Sequence, residues 1–128
     1  MGKKYIVDTN IIIYYLDNQI PLSQLHKIEN IFIESFNIST ITKIELLGWH
    51  KINNTVKKKI EEFISNSQVF YFDSIIEKKV IEIKQEFKIA IPDAIIAATA
   101  LINNFIVVTR NEKDFINIPQ LNIYNPFC

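Results

Sequence analysis

Residues 91–115 read IPDAIIAATALINNFIVVTRNEKDF, and the order of elements in this stretch decides the fold. Pro92 stands in the first turn of an alanine-rich run, where its missing N–H does no harm, so the spacing predicts a helix over Pro92–Asn103. The apolar, β-branched run Phe105–Val108 follows at once as a strand. Working outward, the same alternation recurs. Strands are predicted at Tyr5–Val7, Phe36–Ser39, Val69–Phe72 and Leu121–Tyr124. Helices are predicted at Asn10–Leu16, Leu22–Ser35, Thr40–His50 with a stop near Gly48, Asn54–Ser65 and Ser74–Phe87. Leu25, Ile28, Ile31 and Phe32 recur at helical spacing, as do Val56, Ile60, Phe63 and Ile64. Strands alternating with helices imply right-handed crossovers, hence an α/β fold with a central parallel sheet flanked by helices.

The 128 residues suit a single domain with a core of its own. Apolar residues make up 48% of the chain and only two are glycine, a composition that argues against disorder. Cys128 has no second cysteine to pair with, which excludes a disulfide framework or a cysteine-rich zinc site and fits a reducing, cytoplasmic setting. No apolar stretch reaches the length of a membrane span, and MGKKYIVD lacks the apolar segment of a secretory signal, so no membrane association is expected. The formal net charge is zero, so any affinity for a polyanion has to come from local clusters.

Four acids stand where a parallel sheet gathers ligands, outside the carboxyl ends of its strands. Asp8 closes the first strand, Glu45 lies in the helix after the second, Asp93 opens the alanine-rich helix, and Asp114 follows the FIVV strand. Each has a plainer explanation. Asp8 and Asp114 could be turn acids, Glu45 could complete a capping box with Thr42, and Asp93 suits the positive end of a helix dipole. Against these, Glu45 sits among Ile44, Leu46 and Leu47, and Asp93 shares a helical face with Ile96, Ala97 and Ala100. Carboxylates collected in one cleft raise one another's pKa unless a cation intervenes, and hard ions such as Mg²⁺ or Mn²⁺ suit an all-oxygen set. The chemistry this suggests is metal-assisted phosphodiester hydrolysis.

The segments YIVDTNIIIYYL, ISTITKIELLGW, IPDAIIAATALINNFIVVTRNEKDF and NIYNPF resemble the PIN domain family, particularly its small VapC-type toxin ribonucleases. The resemblance spans essentially the whole chain. It implies an Mg²⁺- or Mn²⁺-dependent endoribonuclease, a homodimer and a cognate antitoxin partner. The family's acids fall on Asp8, Glu45, Asp93 and Asp114. Thr109 falls on the threonine that assists the site, and Asn10, after Thr9, on the asparagine that steadies the first acid. Where many relatives carry a further acid this chain has Asn111, which leaves Asn111, Glu112 and Asp114 as alternatives for the last ligand, Asp114 being preferred.

The implied mechanism is in-line attack by water, leaving 5′-phosphate and 3′-hydroxyl ends, with neither His26 nor His50 required as a base. Lys43, Arg110 and Lys113 are candidates to contact RNA, while the Lys57–Lys59 run reads first as a solvated helix face. An RNA-processing nuclease outside a toxin–antitoxin pair is the alternative within the family. Two other classes stand further off. A receiver-like phospho-switch would use Asp73, and a binding module without catalysis would dispense with the acids.

Overall fold

The computed structural model describes residues 2–128. Five strands form: β1 (Tyr5–Val7), β2 (Asn37–Ser39), β3 (Gln68–Phe70), β4 (Ile106–Val108) and β5 (Asn122–Tyr124). They lie parallel in the order β3-β2-β1-β4-β5. Six helices flank them: α1 (Thr9–Leu16), α2 (Leu22–Glu34), α3 (Thr40–Leu47), α4 (Asn54–Ile64), α5 (Ser74–Glu86) and α6 (Ile91–Asn103). The α/β class read from the sequence is the class observed.

The period of two along the central strands sorts their side chains into two cores. Ile6 and Val107 join Ile76, Val80, Ile83 and the alanines of α6 on one side. Val7, Ile38 and Val108 meet Ile11, Ile28, Ile31, Ile60 and Ile64 on the other. The alanines explain how α6 is seated. Ala94, Ala97, Ala98 and Ala100 are fully buried, and their small side chains let the helix lie close to the sheet and to α5. Thr99, buried among them, satisfies its hydroxyl on the Ile95 carbonyl at 2.7 Å.

The differences from the sequence reading lie at element ends. Tyr71 and Phe72 run beyond β3 and are exposed, the Phe72 amide being taken by the Thr40 hydroxyl at 3.1 Å. α3 ends at Leu47 with Gly48 as its C-cap: the Gly48 amide makes the last helical bond, to the Ile44 carbonyl at 2.7 Å, and a Cβ at Gly48 would stand 2.6 Å from that oxygen. The N-cap of α3 is Ser39, whose hydroxyl accepts from the Ile41 amide at 3.1 Å, and not a Thr42–Glu45 capping box. A 3₁₀ turn over Glu112–Asp114, not foreseen, follows β4. Among the described residues no helix is long and apolar enough to cross a membrane.

The strand order fixes where a site can lie. The chain proceeds outward from β1 to β2 and β3 on one side, and from β4 to β5 on the other, so the winding reverses between β1 and β4. A crevice opens outside the carboxyl ends at such a reversal.

Candidate active site

Asp8 follows β1 directly at that reversal. Its amide extends the ladder to the Val108 carbonyl at 2.9 Å, and its extended backbone makes it the N-cap of α1. One carboxylate oxygen accepts from the Thr9 amide at 2.8 Å, the other from the Thr109 hydroxyl at 2.8 Å. Thr109 directly follows β4 and is fully buried, so the first acid is clamped by both strands that border the crevice. Its hydroxyl also accepts from the Asn111 amide at 3.0 Å, which starts the turn carrying Asp114. Asn10, expected to steady Asp8, is exposed and lines the same cleft, while the hydrogen bonds to Asp8 come from Thr109 and the Thr9 amide.

Glu45 reaches the same place from α3. Its carboxylate accepts from the Thr9 hydroxyl at 2.5 Å, and the same hydroxyl lies 3.0 Å from that of Thr42, which is fully buried. Thr42 was read only as a cap partner for Glu45; the pattern Thr-x-x-Glu places both residues on one helical face, here turned toward the crevice. Asp93 lies half-buried in the first turn of α6, and Asp114 ends the 3₁₀ turn, where it accepts a hydrogen bond from the Asn111 amide group.

The electrostatics tie the four together. The Asp93 carboxyl is pushed from its ordinary 3.8 up to about 6, first by burial, then by the charges of Asp8, Asp114 and Glu45, with a hydrogen bond to Asp114 adding to the effect. Burial also pushes Asp8 up, against the hydrogen bonds from Thr109 and Thr9, and the charges of Glu45 and Asp114 push it further. Among the described residues no three Asp, Glu, His or Cys side chains stand close enough, as placed, to enclose one ion. The donor set itself fits a hard divalent cation, being carboxylate throughout and short of positive charge where these acids crowd.

Asp8, Thr9, Asn10, Glu45, Asp93 and Asn111 line one end of a cleft of about 1100 Å³. The rest of its wall, from α1, α4, Leu46 of α3 and Trp49 just beyond it, is largely apolar, with Ile13, Leu16, Val56, Ile60 and Phe63, and also carries Asp17 and Glu62. Lys59, the last of the lysine run, also lines it. Lys43 does not share this face. Its ammonium lies 3.3 Å from the Tyr71 hydroxyl, across the helix from Glu45. Arg110 and Lys113 are exposed beside Asn111 and Asp114. His26 is exposed on α2 and bonded to Asn30, and Asp73 caps α5 through the Ile76 amide at 2.9 Å, beyond the edge strand β3.

A parallel α/β domain with an acidic crevice at the winding reversal is the class that fold and site define together. The PIN domain family model matches residues 5–121, and the chain belongs to that family. Solved structures add detail. The chain is similar to one in the DNA-bound VapBC complex from Salmonella typhimurium, with 27% identity and a TM-score of 0.84 over 98% of this chain and 99% of that one. It is also similar to a chain of VapBC-1 from nontypeable Haemophilus influenzae, with 28% identity and a TM-score of 0.78 over 97% and 98%. A toxin-antitoxin complex from Klebsiella pneumoniae contains a third such chain, at 27% identity and a TM-score of 0.77 over 96% and 98%. No curated protein sequence matches the chain significantly.

Proposed function

We propose that the chain is a divalent-metal-dependent endoribonuclease and the toxin of a toxin–antitoxin pair, acting in the cytoplasm as a homodimer. The observation that carries the nuclease reading is the clamped Asp8 at the winding reversal, with Glu45, Asp93 and Asp114 close enough to push carboxyl pKa values up. Asp8, Asp93, Asp114 and Glu45 are the residues to hold Mg²⁺ or Mn²⁺. Such an ion, when bound, supplies charge stabilisation at the phosphoryl oxygens and a lower pKa for the attacking water.

The chain's own residues do the rest. Thr109 and the Thr9 amide orient Asp8 and oppose the upward push of its burial. Glu45, fixed through the Thr9 hydroxyl and exposed at the mouth of the crevice, would hold a second ion or the attacking water. Arg110 and Lys113 meet the RNA phosphates from the β4 side. The apolar wall running from the acids to Trp49 and Phe63 supports an antitoxin segment as the natural cover of the cleft. The structural relatives in VapBC complexes favour the same partner.

The test is cleavage of a mixed pool of structured RNAs with Mn²⁺, Mg²⁺ or EDTA, by the purified protein beside Asp8→Asn and Asp93→Asn. Metal-dependent cleavage lost in both variants, with 5′-phosphate and 3′-hydroxyl ends, is the expected result. Cleavage that persists in EDTA, or 2′,3′-cyclic phosphate ends, would overturn it.

A further inference from the structure

The segment after β5 ends up beside the acids because β5 pairs with β4, and the Thr109 amide donates to the Tyr124 carbonyl at 3.1 Å. Asn125 then organises a short hook. Its side-chain carbonyl accepts from the Phe127 amide at 2.9 Å, and its amide group donates to the Arg110 carbonyl at 3.3 Å. Pro126 is buried within the hook, and the Phe127 ring comes to lie against Tyr14 of α1, centroids 5.0 Å apart.

Above this pair of rings sits the Arg110 guanidinium, its central carbon 4.3 Å from the Phe127 centroid and 5.2 Å from that of Tyr14. A guanidinium held by ring faces keeps its planar fork of N–H groups for an outside acceptor, and phosphate is the acceptor whose geometry that fork matches. An exposed, unheld arginine loses side-chain freedom when it binds; one already seated on two rings loses less. Arg110 is also placed correctly in the chain, between Thr109, which clamps Asp8, and Asn111, which lines the cleft.

We propose that Phe127, together with Tyr14, is a positioning residue that presents the Arg110 guanidinium to an RNA phosphate at the rim of the acidic cleft. This rests on the nuclease reading above. It adds to that reading a residue contributed by the hook after β5, which touches neither the acids nor the scissile bond.

Phe127 also packs against the core shared by α1, α2 and α4, so loss of stability alone is uninformative. The experiment compares wild type, Arg110→Ala, Phe127→Leu, Phe127→Tyr and the Arg110→Ala/Phe127→Leu double variant on one RNA that the wild type cleaves with Mn²⁺. Arg110→Ala and Phe127→Leu each raise KM about three- to tenfold, the loss expected for one charge-assisted phosphate contact, and leave kcat nearly unchanged. Each also lowers the slope of log KM on log salt by about one. The double variant is no worse than either single change, and Phe127→Tyr behaves as wild type.

An NMR readout needs no RNA. The Arg110 side-chain resonances carry ring-current shifts in the wild type that Phe127→Leu diminishes. If those shifts are absent from the wild type, or if Phe127→Leu lowers only the melting temperature while KM and its salt slope stay put, the positioning role is wrong and the nuclease reading stands. Additive losses in the double variant overturn it too. If the shifts are present but no RNA in the pool is cleaved, it is the nuclease reading that has failed, and the phosphate role falls with it.

Discussion

Asp93 puts a sign on the pH dependence of this protein. Its folded carboxyl titrates at about 6 against an ordinary 3.8, so between those values the folded state binds more protons than the unfolded one. Stability therefore falls as pH rises through that window and stays lower above it. In EDTA the melting temperature is expected to drop between the two values. Asp93→Asn, which keeps the shape and removes the charge, should flatten that part of the profile and melt higher than wild type at pH about 7 while abolishing cleavage. Thermal unfolding across the range checks this; an unchanged profile in the variant would show that another group dominates. Thr109→Val removes the hydroxyl from Asp8 with little change in volume. Apparent affinity for Mn²⁺, read from activity titrations, should weaken by about 10- to 100-fold, the usual effect of deleting a partner that orients a ligand. That four acids gather at one crevice was suggested by the sequence, where Asp8, Glu45 and Asp93 each interrupt or open an apolar run and Asp114 follows the last central strand by a few residues. The groups that hold them were less legible. Thr109 was marked by the family resemblance alone and Thr42 only as a cap partner, because only the meeting of α1, α3 and β4 gives their hydroxyls a partner.

Helices and strands were readable where hydrophobic period and length agree, as in α6 and β4, and less so at their ends, where one hydrogen bond decides. α3 illustrates this: Ser39 is at once the last residue of β2 and the cap of the helix, a double use that propensity does not separate. The 3₁₀ turn went unseen because three residues carry no period. α6 ends on Asn104, held in the left-handed region at φ 57° with its amide on the Ala100 carbonyl. Asn104→Gly should leave stability nearly unchanged, whereas Asn104→Ala should cost about 1 kcal/mol because a Cβ is disfavoured there without the local bonding that asparagine offers. Urea unfolding of the two variants measures the difference. A larger loss for glycine than for alanine would mean that the side chain, not the backbone angle, holds this end.

Taken together, the layers place an acidic crevice and an apolar groove end to end in one cleft, although the net charge is zero and composition hints at neither. Leu16, 42% exposed on the groove wall and remote in role from the acids, separates the two halves experimentally. Leu16→Glu should leave metal-dependent cleavage by the isolated chain intact and weaken capture of a co-expressed antitoxin, as read by co-purification. Loss of cleavage with capture retained would reverse the assignment of the two halves. The clamp on Asp8 has one more consequence, for the newborn chain. Its hydroxyl donor lies 101 residues further along the sequence. At translation rates of about 5–20 residues per second, Asp8 is made roughly 5–20 s before Thr109. For most of that interval Asp93 and β4 are missing too, and Asp114 for all of it, so a half-made chain on the ribosome carries no assembled acidic crevice.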